Sequence, residues 1–311
     1  MSTFQANIDP KLVAIEPKTF EDYEEAVSAA GGIPTSIGPN VGALIWTDYS
    51  KPQALGQLLE KNPQLSWVQL PFAGVDAFHE VLGHSVTFTS AKGSYREPVA
   101  EHALMLCMAL GRKLAERVRA KSWAPSFAVS LYDANVLIVG AGGITEELIK
   151  LLAPFRSNIT VVRNQPAPLA GANRTAGLPE LISLLPEADF VILACALTPE
   201  TRGLFDATAF AAMKAESYLV NIARGAVVVT QDLLSALESG QIAGAGIDVT
   251  DPEPLPDGHP AWDEPNLIIT PHTADTKEMV KRLFSIRLRE NVSAYLGSGD
   301  WVGLVDPDLG Y

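Results

Sequence analysis

Between Asn135 and Phe155 the chain reads NVLIVGAGGITEELIKLLAPF. VLIV predicts a buried strand, and ITEELIKLLAPF, with apolar residues at three- and four-residue spacing, predicts an amphipathic helix. Between them Gly140, Gly142 and Thr145 occupy the three positions of G-x-G-x-x-G. In that motif the first glycine permits a tight turn, and the second lets backbone approach a pyrophosphate. The third allows close helix–strand packing. The helix N-terminus then faces the diphosphate. Strand, glycine turn and helix in this order point to a parallel α/β sheet that binds a dinucleotide. Thr145 in place of the third glycine predicts looser packing at that point.

The same alternation runs through the rest of the chain. Strands are expected at 12–16, 43–47, 66–70 and 86–91, with a helix at 21–31 and a loop at Pro71–Phe72–Ala73–Gly74. From Pro98 to about Ala120 the apolar spacing predicts one long helix, followed by an irregular connector at 122–133. A second α/β series follows, and KEMVKRLFSIRLRENVSAYL predicts a final amphipathic helix that returns to the first domain. A chain of 311 residues has room for two domains. The expected fold class is therefore α/β with two doubly wound parallel-sheet domains. Residues 1–98 plus 276–311 form a substrate domain, and 99–275 form an inserted dinucleotide-binding domain.

No apolar run approaches the roughly 20 residues needed to span a bilayer, and MSTFQANIDPKLV lacks the pattern of a secretory leader. Cys107 and Cys195 each sit inside an apolar run and read as reduced, buried thiols. A cytoplasmic location is the natural expectation. The formal charge of −13 argues against nucleic acid as a partner, while a local arginine can still focus potential on a small anion.

A ribose-binding carboxylate is expected about 20 residues after the glycine turn, at the tip of the second strand. That strand ends VVRN, with Arg163 standing 23 residues beyond Gly140 and no acidic residue at the tip. A carboxylate there would repel a 2′-phosphate, whereas a guanidinium pairs with it by charge and fork geometry. Asn164 can donate to the same oxygens. NADPH is expected over NADH.

Arg224, Glu253 and His272 each lie at or after the end of an apolar strand-like run. Ligands of open α/β sheets bind at strand C-termini. An imidazole at His272 can protonate a ketone oxygen as hydride arrives. Glu253 can accept its second N–H, and Arg224 can grip a substrate carboxylate and polarise the carbonyl. Asp248 can fix a nicotinamide amide or cap a turn. Gly244 and Gly246 read as space for close cofactor approach. His79, His84, His102 and His259 read as surface or satisfied histidines. Trp46, Phe72, Tyr95 and Trp262 are candidates for a substrate-pocket wall or for core packing. No metal-ligand spacing such as C-x-x-C or H-x-x-x-H occurs, so no metal is expected.

Together these segments resemble the D-isomer-specific 2-hydroxyacid dehydrogenases. The resemblance spans nearly the whole chain and is strongest from Ala73 to Ala274. AGVD at 73–76 is similar to the family's substrate-domain loop, which implies that the Ala73 and Gly74 amides meet the substrate carboxylate. PVAEHAL at 98–104 is similar to the start of its interdomain helix, and VGAGGI to its dinucleotide turn, bringing in Gly143 and Ile144. LTPETRGLFD and NIARGAVV resemble segments flanking the cofactor, bringing in Ala196, Thr201 and Ala223. DVTDPEP and TPHTA are similar to the segments bearing the family's glutamate and histidine. The resemblance implies Arg224, Glu253 and His272 as the catalytic set, with Asp248 against the nicotinamide. It implies a flavodoxin-like substrate domain, a cleft between two domains and a homodimer. Arg163 resembles the NADPH-preferring glyoxylate and hydroxypyruvate reductases; NAD is the alternative cofactor. Some relatives of this fold act as dinucleotide-sensing corepressors, a competing expectation against which the intact arginine–glutamate–histidine set weighs.

Overall fold

The computed structural model describes residues 7–306 except 124 and 126. The first six residues, read above for a leader, lie outside it, as do two positions of the expected connector. The chain divides into two compact units, one from residues up to Tyr95 together with those from Lys277 onward, the other Arg96–Thr276.

The first unit holds a five-stranded sheet: β1 (Asp9–Glu16), β2 (Ile33–Thr35), β3 (Val41–Trp46), β4 (Trp67–Gln69) and β5 (Thr87–Thr89). Its order, β2-β1-β3-β4-β5, with every pair parallel, is that of flavodoxin-like sheets. Alternation along the strands sends Val13, Ile15, Ala43 and Ile45 to one face and Ala14, Leu44 and Val68 to the other. Helix α1 (Glu21–Ala29) covers the first face through Tyr23, Ala26 and Val27. Helix α2 (Pro52–Lys61) covers the second through Leu55 and Leu59. Of the two readings for Trp46, the structure shows core packing: it ends β3 at 3% exposure among Leu44, Leu55 and Val68.

The second unit opens with the long helical stretch, and here the expectation needs correction. The helix is two: α3 (Arg96–Gly111) and α4 (Leu114–Arg119). Lys113 between them adopts a left-handed backbone, φ +48, which ends the first helix. The sheet then runs β6 (Asn135–Val139), β7 (Asn158–Arg163), β8 (Arg174–Gly177), β9 (Phe190–Leu193), β10 (Tyr218–Asn221), β11 (Gly244–Ile247) and β12 (Leu267–Ile269). Between strands lie α5 (Gly143–Leu152), α6 (Leu181–Leu184), α7 (Ala207–Ala212) and α8 (Thr230–Glu238). Residues 178–188, whose apolar spacing suits a single helix, form only a four-residue helix between two 3₁₀ turns, each holding a proline in its first turn. The order β12-β11-β10-β9-β6-β7-β8 is the doubly wound dinucleotide-binding arrangement with one strand added, and the order reverses beside β6. Leu137, Val139, Val191, Leu193, Leu219 and Ala245 form one apolar face under α7 and α8, and full burial of each larger side chain is worth roughly 1.5–3 kcal/mol.

The chain ends its described path with α9 (Lys277–Tyr295), which belongs to the first unit. Phe284 meets Tyr23 of α1 edge-on at 5.1 Å, and Asn291 donates to Gln69 of β4 at 2.7 Å.

Candidate active site

The glycine turn follows β6 as the spacing requires. Gly140 has φ +112, and a Cβ there would meet the Ala194 carbonyl oxygen at 2.4 Å. Any other residue is therefore excluded by the backbone at the end of β9. Gly142 caps α5, and a Cβ added to it would meet nothing within 4 Å. Open space at that position, above the unpaired N–H groups of the helix's first turn, fits a diphosphate. Gly143 and Ile144 begin the same helix. Thr145 corrects the expectation of loose packing. Its side chain is fully buried and its hydroxyl donates to the Gly140 carbonyl at 3.0 Å, so the extra atoms tie helix to turn.

The Gly140 N–H donates to the Val162 carbonyl at 2.8 Å, which sets the end of β7 beside the turn. Arg163 follows directly, partly exposed, and among the described residues its guanidinium has no hydrogen-bond or ion-pair partner. Exposed Asn164 comes next. After β9, the Thr201 hydroxyl donates to the Ala196 carbonyl at 2.7 Å and accepts the Thr198 N–H at 2.7 Å, closing the 196–201 loop from within.

Arg224, Glu253 and His272, the expected catalytic residues, come from three successive strand ends. His272 Nδ1 lies 2.6 Å from Glu253 Oε1, and both side chains are nearly half exposed, 48% and 42%. A carboxylate only accepts, so in the neutral ring the proton sits on Nδ1 and Nε2 is the acceptor. His272 has φ +52, a left-handed conformation that costs a β-carbon residue about 1–3 kcal/mol and must be held by its surroundings. Asp248, 2% exposed at the end of β11, does the holding. Its carbonyl accepts the His272 N–H at 2.7 Å. Its Oδ1 accepts from the Thr270 hydroxyl at 2.6 Å and the Thr273 N–H at 2.9 Å, and Oδ2 accepts the Ala274 N–H at 3.1 Å. The turn-capping alternative for Asp248 is thus the one its hydrogen bonds describe.

Arg224 follows β10. Its Nη1 donates to the Ala223 carbonyl at 2.7 Å, and its own carbonyl accepts from Asn221 Nδ2 at 3.0 Å. Gly225 brings this bend against the Glu253 loop, because a Cβ there would fall 1.9 Å from the Thr250 carbonyl oxygen. The Thr250 N–H in turn reaches Glu253 Oε2 at 3.4 Å. A cation, a carboxylate and an imidazole thus share one end of one sheet.

Residues 102–274 match the family model described as "D-isomer specific 2-hydroxyacid dehydrogenase, NAD binding domain". The chain belongs to the D-isomer specific 2-hydroxyacid dehydrogenases. It is 32% identical over 292 residues to a mouse glyoxylate reductase/hydroxypyruvate reductase, covering 90% of this chain and 85% of that one. It is 33% identical over 307 residues to glyoxylate/hydroxypyruvate reductase B of Escherichia fergusonii, covering 95% and 90%. The crystal structure of a D-isomer specific 2-hydroxyacid dehydrogenase from Xanthobacter autotrophicus Py2, in complex with NADPH and MES, superposes with a TM-score of 0.81 at 25% identity, covering 96% and 99%. As a 2-hydroxyacid dehydrogenase, the chain is an NAD(P)-dependent oxidoreductase acting on a CH–OH group.

Other expected residues fall elsewhere. Gly246 and Gly244 do not provide space for a cofactor. A Cβ on Gly246 would press on Leu106 and Leu110 of α3 at 3.2–3.3 Å, and one on Gly244 would meet the Asn266 carbonyl at 3.0 Å. Those glycines let α3 and the neighbouring chain lie close. Ala73 and Gly74 lie in the first unit, in a loop flanked by a ring cluster of Tyr49, Phe72 and Tyr95. The Tyr95 hydroxyl donates to the Pro71 carbonyl at 2.6 Å. Trp262 of the second unit donates its indole N–H to the Pro256 carbonyl at 3.0 Å, and His259 Nδ1 accepts the Ala261 N–H at 3.2 Å. Sequence reasoning passed over Asp275, two residues beyond Thr273. Burial raises its carboxyl pKa above the ordinary value; His272 lowers it and the Asp248 charge raises it. Among the described residues no helix is long and apolar enough to cross a membrane, and no cluster of three or more His, Cys, Asp or Glu is placed to hold a metal.

Proposed function

We propose that this chain is an NADPH-preferring reductase of small 2-oxo acids of the glyoxylate and hydroxypyruvate class. The observation that carries the reading is the 2.6 Å contact of His272 Nδ1 with Glu253 beside the Arg224 bend. The names of the mouse and Escherichia relatives support the substrate class, and the NADPH held by the Xanthobacter structure supports the cofactor.

Gly140, Gly142, Gly143 and Ile144 would hold the diphosphate, with Arg163 and Asn164 on the 2′-phosphate and Ala196, Thr201 and Ala223 along the cofactor's remaining length. When bound, the reduced nicotinamide supplies the hydride that C2 of the 2-oxo acid accepts. Arg224 grips the substrate carboxylate and polarises the carbonyl oxygen, and the Ala73 and Gly74 amides hold the same carboxylate. His272 Nε2 delivers the proton to that oxygen, and Glu253 stabilises the imidazolium from which it comes. In oxidation His272 takes the proton back. We further propose the homodimer that the resemblance implies; exposed Val118 on α4 and Trp123 just after it support an unfilled apolar surface on this unit.

Initial rates with glyoxylate, hydroxypyruvate, pyruvate and a bulkier 2-oxo acid, each against NADPH and NADH, test the assignment. Binding of the two cofactors to wild type and to R163A, followed by fluorescence without substrate, tests the cofactor argument separately. Faster turnover with NADPH and a selective loss of NADPH binding in R163A support it. Equal binding of both cofactors to wild type refutes the role of Arg163.

A further inference from the structure

Helix α3 carries a histidine that the proposed chemistry does not use. His102 Nε2 lies 2.9 Å from the Thr270 hydroxyl oxygen and 3.5 Å from Asp248 Oδ1, with its side chain 13% exposed. Thr270 is 168 positions away in the chain and two residues before His272. The direction of each bond follows from chemistry. Asp248 is a carboxylate and only accepts, so the single Thr270 O–H proton points to it across 2.6 Å. The Thr270 oxygen therefore accepts from the ring, and His102 carries its proton on Nε2.

This row of donors ends at the atoms that shape the His272 loop. Asp248 grips the chain on both sides of His272, through its carbonyl to the His272 N–H and through its side chain to the N–H groups of Thr273 and Ala274. The Thr270 hydroxyl is the only side-chain O–H or N–H that donates to this buried carboxylate among the described residues. With His102 absent, the hydroxyl has no donor facing its lone pairs and is free to rotate away from Asp248. His102 sits on a sixteen-residue helix whose Leu106 and Leu110 pack at Gly246, two positions before Asp248. The helix thereby serves as a fixed frame for the loop.

We propose that His102 is a positioning residue for the reaction: through Thr270 and Asp248 it fixes the backbone that aims His272. The proposal rests on the reading of His272 as proton donor. It adds a residue outside the arginine–glutamate–histidine set, one whose effect is on the proton-transfer step and not on the cofactor.

Four single variants and one double test it. H102A and T270V each remove one link, while H102Q and T270S each keep a donor at the same place. H102A and T270V should lower kcat by about tenfold or more while the Kd for NADPH stays near wild type. H102Q and T270S should keep most of the rate, and the H102A/T270V double should be no slower than the slower single, because both cut one chain. Unchanged kcat in H102A, or losses that multiply in the double, would overturn the proposal. Should H102A fail to fold, T270V against T270S and H102Q decides in the same way.

A second arm needs no turnover. Ring ¹⁵N spectra of the substrate-free protein should show His102 in the Nε2–H tautomer, and T270V should move the His272 ring signals. If wild type reduces no 2-oxo acid, the proposed function fails, and the spectra still judge the link. His272 signals unmoved by T270V would overturn the link whatever the kinetics.

Discussion

His272 Nδ1 and Glu253 Oε1 stand 2.6 Å apart, bridging the loops that follow β11 and β12. The bond fixes the ring tautomer and, in the proposed reaction, would give the imidazolium a counter-charge as it forms. E253Q keeps the shape and removes the charge. Its kcat should fall by roughly tenfold or more, with the Kd for the cofactor nearly unchanged, a split read by steady-state kinetics beside a cofactor titration. A fall in cofactor affinity with kcat intact would place Glu253 elsewhere in the scheme.

Asp248 offers a different test, because it is buried and the Thr270 hydroxyl and the Thr273 and Ala274 N–H groups all donate to it. D248N must turn an amide NH₂ toward Thr270 and Thr273 or toward the Ala274 N–H. One donor then faces another in a dry site, at a cost of about 1–3 kcal/mol. Urea unfolding should show that loss, and kcat should drop with it because the His272 backbone is released. Wild-type stability in D248N would mean the hydrogen bonds around it are weak.

Gly225 brings the Arg224 bend against Thr250, and there is no room for a methyl group with the Thr250 carbonyl oxygen 1.9 Å from the added carbon. G225A should lose about 3 kcal/mol or more, since backbone on both sides must move. G142A, at a glycine with open space, should unfold like wild type yet bind cofactor more weakly. Thermal melts of the two variants, with and without NADPH, separate the structural glycine from the binding one. A destabilised G142A with normal binding would reverse the assignment.

Asp275 gives a pH signature. Its carboxyl pKa is raised above the ordinary 3.8, chiefly by burial, so the folded state prefers the neutral acid. The stability this group contributes is present below the unfolded pKa and is lost as pH rises through the folded one. D275N removes that loss. Its melting temperature should exceed wild type at pH 7, with the gap closing as pH falls toward 4. A gap that widens on acidification would contradict the sign.

Burial shifts the two thiols in the same direction. Burial pushes Cys107 up to about 12 and Cys195 up to about 11. The thiolate is the reactive form, so alkylation of the native protein by iodoacetamide should be negligible at pH 8 and should accelerate for Cys195 only as pH approaches 11. Rapid labelling at pH 8 would show that the second unit opens locally.

Much of this was readable in the chain, for reasons that differ by residue. VLIV, the glycines at 140 and 142 and the strand tip at Arg163 are local signals, and the parallel α/β class follows from many short strands alternating with helices. The strands at 33–35 and 174–177 escape the pattern because each is short and lacks an apolar run, and pairing with longer neighbours stabilises them. Gly246 misled because an open position in sequence is silent about what fills it; here it is α3. Thr145 misled because a hydroxyl can bond the turn that a glycine would only approach. His102 carried no local sign at all, since its partner lies across the fold at Thr270.

The most direct test of the account is the kcat of H272A with glyoxylate and hydroxypyruvate under saturating NADPH, once NADPH binding to the variant is shown to match wild type. With His272 as the proton donor, kcat should fall by about 10²–10⁴-fold with the cofactor still bound. Turnover by H272A at the wild-type rate would contradict it.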